Sequence, residues 1–183
     1  MLSIPTTNIK ELTLKLNLID DITIGNQNQE RGPKKIKQIK EIRKPYRTYK
    51  TGTTNTTDIY VGKQASDNDI LTITSKKQTP NSWWFHVKGN SGSHVVLNNP
   101  SNYKSINPIE LKDAACLAAR HSKSYTSGIS KIYVTVTRCS DVIKPPFVND
   151  GMVLLKRVED TVFVDVRGEE ERFKRLDGNV CIN

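Results

Sequence analysis

A strong helix signal lies in the middle of the chain, between segments whose patterns are typical of strands. Asn107 can cap a helix, Pro108 suits the first helical position, and Glu110 follows three residues after the cap. The helix that begins there carries small and apolar residues along one face: Leu111, Ala114, Ala115 and Ala118. Because small residues permit close approach, we expect this helix to lie on a sheet built from the neighbouring strands.

The strands are predicted from short apolar or alternating runs bounded by turn residues. These runs are residues 58–62, 82–87, 93–97, 129–137, 151–156 and 161–166. The second and third runs predict one hairpin, and the last two predict another around Glu159 and Asp160. A short helix is expected at 169–176. The fold class is therefore predicted to be α+β, a mostly antiparallel sheet with one principal central helix, preceded by a basic N-terminal extension.

The positive charge of the chain is concentrated before the predicted domain. Residues 31–50 hold nine basic residues and one acidic residue, whereas the whole chain has a net charge of +9. We expect residues 1–45 to form a partly helical extension that is basic at 31–45, residues 46–167 to form the domain, and residues 168–183 to form a tail. Residues 8–21 favour a helix although their leucines alternate like a strand, and residues 34–44 predict a short basic helix.

Such a basic segment favours polyanions, because each neutralised phosphate releases counterions. The alternative is a solvated tail or helix face without a partner. If nucleic acid is bound, Tyr46 and Tyr49 could add stacking surface, and the cations expected to contact phosphate are Lys34, Lys35, Lys37, Lys40, Arg43, Lys44 and Arg47.

Several classes of protein are excluded by composition and patterning. Three cysteines without metal-ligand spacing do not suit a secreted disulfide scaffold. Neither a signal peptide nor a run long enough to span a membrane is recognisable. We therefore expect no membrane contact and no cofactor, and a location in the cytoplasm or, given a residue usage typical of AT-rich codons, in an organelle stroma such as that of a plastid.

The side chains that could carry chemistry cluster around the first predicted hairpin. His86 and His94 flank its turn, and Trp83, Trp84 and Phe85 are successive, so at least one ring should be core and at least one should point elsewhere. An exposed tryptophan beside His86 would be a stacking platform. The histidines could also be metal ligands, catalytic groups with Ser93 or Asp69, or core residues satisfied by hydrogen bonds, although no diagnostic metal or triad motif surrounds them. Asp67, Asn68 and Asp69 are expected to cap a turn or a following helix.

Five segments in order resemble the NFACT-R domain, the C-terminal module of ribosome quality-control proteins of the RqcH type, once called fibronectin-binding-like proteins. The segments are IYVGKQASDNDILT, WWFHVKGNSGSHVVL, ELKDAACLAARHSKS, IYVTVT and VIKPPFVNDGMVLL, within residues 45–167. The resemblance implies a non-enzymatic module that binds RNA, either tRNA or rRNA, at the large ribosomal subunit. The residues that it implies for RNA contact are Lys63, Asn68, Asp69, Trp84, Phe85, His86, Gly92, Ser93, His94 and Lys144, with Gly62 and Gly151 beside them.

The chain also departs from the family pattern. Asn81 and Ser82 stand where an acid usually precedes the tryptophan, and Pro146-Phe147 replaces a usual Lys-Gly pair, so a phosphate contact by Lys144 is less supported. No segment of these 183 residues resembles the large N-terminal domain of the full-length proteins, so we expect a stand-alone NFACT-R protein without tailing activity of its own. Two alternatives remain open: a hydrolase or nuclease that uses His86, His94 and Asp69, and an adaptor whose basic helix docks on an acidic protein.

Overall fold

A computed structural model describes residues 43–52 and 56–181. Its main feature is a seven-stranded antiparallel sheet in the order β8-β5-β3-β4-β2-β1-β9. The strands of this sheet are β1 (Tyr46–Thr51), β2 (Thr57–Gly62), β3 (Trp83–Val87), β4 (Val95–Leu97), β5 (Lys131–Arg138), β8 (Asp160–Asp165) and β9 (Val180–Cys181). A separate two-stranded sheet joins β6 (Val142–Ile143) to β7 (Leu154–Leu155).

Four α-helices accompany the sheets within the described residues, and the predicted α+β class is confirmed. They are α1 (Ala65–Gln78), α2 (Pro108–Arg120), α3 (Lys123–Thr126) and α4 (Glu170–Gly178), with 3₁₀ turns at Cys139–Asp141 and Arg167–Glu169. The predicted cap of α2 is present, because Asn107 Oδ1 accepts a hydrogen bond from the Ile109 N–H at 2.9 Å. In the part of the chain that the structure describes, no helix is long and apolar enough to cross a bilayer.

The sheet has two differently covered faces. Helix α2 lies on one face and buries its alanines completely against side chains such as Phe85 and Val134. Phe173 and Leu176 of α4 join this main core, so the C-terminal segment is part of the folded body. On the opposite face, a smaller core contains the side chain of Trp84. The alternation of β3 therefore sends Trp83 and Phe85 to one face and Trp84 and His86 to the other.

The second predicted hairpin is wrong. Residues 154–155 pair with 142–143, whereas β8 pairs with β5 at the edge of the large sheet, with Val164 opposite Ile132. Val164 is fully buried there. Pairing with β5 buries the apolar face of β8 against the main core, whereas an isolated hairpin with β7 would leave that face exposed. This burial explains why β8 pairs with β5.

Helix α1 was not predicted as an element, because its buried side is polar. Its buried residues are Asp67, Asn68, Asp69, Leu71, Thr72 and Ser75, whereas Ile70 and Ile73 are exposed. Apolar periodicity, the usual helix signal, is therefore missing. Asp67, Asn68 and Asp69, which were expected to cap a turn or a following helix, lie inside the first turns of this helix.

The basic segment 31–50 is not one structural unit. Residues 34–40 lie outside the described residues, whereas Tyr46–Thr51 form β1, which pairs with β2 and β9. Lys50 is paired with Asp58 at 2.5 Å, and the Tyr49 ring is only 4 % exposed in the main core. Tyr49 therefore has no free stacking surface, which corrects its expected role.

Candidate nucleic-acid interface

A groove of about 670 Å³ lies on the face of the sheet that α2 does not cover. Its walls are the start of α1, the β3–β4 turn and residues 150–155. Seven of the residues predicted to contact RNA line it: Lys63, Asn68, Trp84, His86, Gly92, Ser93 and His94. The tertiary structure thus brings together two sequence segments that the family resemblance singled out separately.

Asn68 holds the start of α1 against the hairpin. Its Oδ1 accepts from the His94 N–H at 3.0 Å, and its Nδ2 donates to the Gly92 carbonyl at 3.2 Å. The side chain passes directly over Gly62, where any Cβ would collide with Oδ1. Ser93 completes the clamp, because its hydroxyl donates to the Gly62 carbonyl at 2.8 Å. Asn68 is 5 % exposed, so it positions the groove wall more than it offers a contact surface.

His94 is neutral and both of its ring nitrogens are engaged. Nε2 lies 3.1 Å from the Gly151 carbonyl, whereas Nδ1 lies 2.8 Å from the Thr72 hydroxyl and 3.3 Å from the Asn68 carbonyl. Because a carbonyl can only accept and the hydroxyl can donate to Nδ1, the single proton of the neutral ring is assigned to Nε2. Nδ1 then accepts from the Thr72 hydroxyl at 2.8 Å, and that hydroxyl accepts from the Trp84 indole N–H at 3.2 Å. Desolvation, followed by the nearby His86, lowers the pKa of His94 to about 4. His94 therefore matches the core alternative and is not free to act as a general base.

Trp84 and His86 form the floor of the groove. Their rings are stacked with centroids 5.7 Å apart, and the His94 ring meets the indole edge-on at 4.9 Å. The expectation of an exposed tryptophan is not met, because Trp84 is only 2 % exposed in the smaller core. His86 is half-buried, and burial lowers its pKa, so at neutral pH the floor is an uncharged aromatic surface.

The cations of the groove stand on its rim. Lys63, just before α1, and Lys88, just after β3, are both exposed and line the groove. The Lys63 ammonium donates to the Lys44 carbonyl at 2.8 Å, a contact that orients the side chain without neutralising its charge. Asp150 is the one acidic residue among the described residues that line the groove. An uncharged floor with a cationic rim suits a ligand that presents bases and phosphates.

Other predicted contact residues are used inside the fold or lie elsewhere. Arg43 is paired with the buried Asp67 at 2.5 Å, and Lys144 is paired with Asp69 at 2.7 Å while donating to the Asn149 carbonyl. These charges tie neighbouring segments to α1. Phe85 is fully buried in the main core and supports the groove from behind. Arg47 is exposed on β1, Lys44 is exposed before it, and Lys34, Lys35, Lys37 and Lys40 fall outside the described residues.

Two groove residues were not predicted as contacts. Lys88 belongs to the predicted hairpin turn, and its position between His86 and His94 is a sequence signal for a contact residue. His121 follows α2 and lies 3.0 Å from the Tyr49 hydroxyl. Burial and then the charge of Arg47 lower its pKa to about 4. Only the fold brings this residue, 27 positions after His94, to the same groove.

No group of three histidine, cysteine, aspartate or glutamate side chains in the described ranges lies close enough to hold a metal ion. The three cysteines are free thiols. Burial raises the pKa of Cys116 and of Cys139 to about 12, which leaves both thiols protonated at neutral pH.

Comparison with known proteins identifies the family of the domain. Residues 45–157 match the family described as the NFACT protein RNA binding domain, NFACT-R. A solved structure, the C-terminal region of the fibronectin/fibrinogen-binding protein from Streptococcus suis, is similar with a TM-score of 0.60 and 27 % sequence identity. The match covers 90 % of this chain and 58 % of that one. No curated protein sequence matches. The family match spans more than half of the chain and contains the α1 wall, the histidine hairpin and the rim lysines, so the chain belongs to the NFACT-R family.

Proposed function

We propose that this protein binds structured RNA through the groove between α1 and the β3–β4 turn. The observation that carries the proposal is the combination of an aromatic, uncharged floor with two exposed lysines that line the same groove. Lys63 and Lys88 can contact phosphates, while the half-buried His86 ring, stacked on the buried Trp84, faces the nucleotide in the groove. Family membership supports RNA as the ligand.

The RNA that we propose is tRNA or the rRNA of the large ribosomal subunit, in ribosome-associated quality control. This step is supported by the resemblance to the C-terminal module of the quality-control proteins. The basic residues of segment 31–45 would extend the contact along the phosphate backbone, since they supply most of the positive charge. The chain spans less than two thirds of the solved relative, so the activities of longer family members are not assigned to it.

The test is a salt series of tRNA binding, measured by fluorescence anisotropy, for the wild type, Lys63→Ala and Lys88→Ala. Each rim variant should weaken binding and reduce the slope of log K against log salt by about 1, because one phosphate contact is lost. Lys104→Ala is the matched control, since Lys104 is an exposed lysine beyond β4, away from the groove. Its slope should equal that of the wild type.

Two results would contradict the proposal. One is a wild type that binds no tRNA and does not sediment with large subunits. The other is a pair of rim variants whose affinity and slope match those of Lys104→Ala. A deletion of residues 31–42 tests the basic arm separately. It must stop before Arg43, because Arg43 is paired with Asp67 on α1 and the Lys44 carbonyl accepts from Lys63.

A further inference from the structure

We propose that Tyr133 and Phe163 form a second contact surface, a platform on which unpaired RNA bases stack. The two side chains face each other across β5 and β8, with ring centroids 5.5 Å apart and ring planes tilted by 50°. The inference rests on the proposed RNA binding and adds the class of nucleotide that is bound. We call this pair the aromatic platform.

The aromatic platform is continuous with the groove. In the antiparallel register His86 lies opposite Thr135, and Thr135 lies opposite Thr161, so these three side chains share one face. Thr135 lines the groove, and Tyr133 precedes it by two residues on the same face. The Lys88 N–H donates to the Tyr133 carbonyl at 2.8 Å, which places a rim cation beside the platform. An RNA strand that leaves the groove over Thr135 therefore reaches Tyr133 next.

The exposure of the two rings is unexplained by folding. Tyr133 is 55 % exposed and Phe163 is 40 % exposed, whereas Ile132, Val134 and Val164, the neighbours on the other face, are buried. Burying large aromatic rings is favourable, so a pair left open on a sheet calls for a ligand with flat apolar faces. Nucleobases have such faces, and base–aromatic stacking is a common basis for binding single strands.

The surroundings favour a nucleic acid over a protein partner. Lys88 and Lys131 flank Tyr133. Asp165 lies directly opposite Lys131 and accepts from the Arg167 N–H at 3.2 Å, so it offsets one of the two positive charges and leaves that of Lys88. Thr135 and Thr161 border the rings on the groove side. Two rings set among threonines and lysines make a narrow apolar surface, smaller than the roughly 800 Å² per partner of a stable protein interface. Charge complementarity therefore assigns this surface to a polyanion.

The experiment measures binding of a fluorescein-labelled 12-mer of oligouridine by anisotropy, for Tyr133→Leu, Phe163→Leu and Tyr133→Trp. Leucine keeps an apolar side chain on the strand but removes the π-face, so each leucine variant should lose affinity by about tenfold. The salt slope should not change, because no cation is removed. Tyr133→Trp should bind at least as well as the wild type, and its fluorescence should be quenched on binding. Tyr103→Leu is the control, since Tyr103 is 66 % exposed and does not line the groove.

The outcomes separate this inference from the proposed function. If tRNA binding depends on Lys63 and Lys88 but the leucine variants bind oligouridine within twofold of Tyr103→Leu, the aromatic platform is wrong and the groove proposal stands. If the wild type binds neither RNA, both are wrong. A wild type that sediments as a dimer and becomes monomeric in Tyr133→Leu would show that a second copy covers the rings, which also overturns the inference.

Discussion

The network around His94 makes the stability of the domain dependent on pH. The ring is 1 % exposed, with Nε2 3.1 Å from the Gly151 carbonyl and Nδ1 2.8 Å from the Thr72 hydroxyl, and its burial is what keeps it neutral. Burial lowers the pKa of His94 from 6.5 to about 4. Since the folded state resists protonation while the unfolded state does not, the unfolded state binds more protons between these pH values. The free energy of unfolding must therefore fall as the pH falls from 6.5 toward 4, and this contribution levels off below 4.

The size of the effect follows from the pKa difference. One pKa unit corresponds to about 1.4 kcal/mol, so the full displacement of His94 is worth about 3 kcal/mol, of which about 2 kcal/mol is lost between pH 7 and pH 5. His121, whose pKa burial also lowers to about 4, should add a loss in the same direction. A domain of this size has a total stability of only about 5–15 kcal/mol, so the combined effect is large.

The assay is urea unfolding at pH 7 and pH 5, followed by the fluorescence of the two buried tryptophans, for the wild type and His94→Asn. The variant will be less stable at both pH values because it loses ring packing against Trp84. The informative quantity is the difference between the two pH values, which should shrink by about 2 kcal/mol in the variant. An unchanged difference would refute the reasoning. So would an NMR titration of the wild-type His94 ring with a midpoint near 6.5, which requires no variant.

Two further predictions concern the contacts that hold the groove and the C-terminal helix in place. Gly62→Ala should lower the free energy of unfolding, measured with urea, by about 2–4 kcal/mol, because the new methyl displaces the Asn68 amide and leaves the buried His94 N–H unpaired. The control is Gly178→Ala, where a Cβ meets nothing within 4 Å and the free energy of unfolding should hardly change. Equal losses in the two variants would contradict the clash at Gly62. Asp113→Asn should lower the free energy of unfolding, measured in the same way, by about 2 kcal/mol, because the fully buried carboxylate accepts from Arg172 and Arg175 at 2.5 Å each. The control Glu171→Gln removes an exposed pair with Lys174 and should change stability by less than about 0.5 kcal/mol, so a comparable loss there would count against the buried network.

Prediction from the sequence succeeded where a signal is local. The cap and proline at 107–108 specify the start of α2, and the two apolar runs around the Gly-Ser turn specify the β3–β4 hairpin. Each of these patterns depends on residues a few positions apart, which interact in the same way in almost any fold. Family resemblance then selected residues in two distant segments that the structure brings to one groove.

Prediction failed where burial depends on distant partners. Helix α1 has a polar buried side because Asn68 and Thr72 bond to His94, which no periodicity within α1 can reveal. Strand β8 pairs with β5 because its apolar face finds the main core, although a turn to β7 is nearer in sequence. In both cases a contact across the fold outweighs the local pattern.

The sequence by itself determined that this is an α+β, NFACT-R-type chain with its charge gathered before residue 50 and its aromatic and histidine residues gathered around one hairpin. Only the tertiary structure decided which side chains of the domain can meet a ligand. Trp84, Phe85 and His94 are buried, Lys63 and Lys88 stand at the rim, and Tyr133 and Phe163 are open on the sheet. The physical reason is that the alternation of a strand fixes two faces, but which face is covered depends on the elements that pack there.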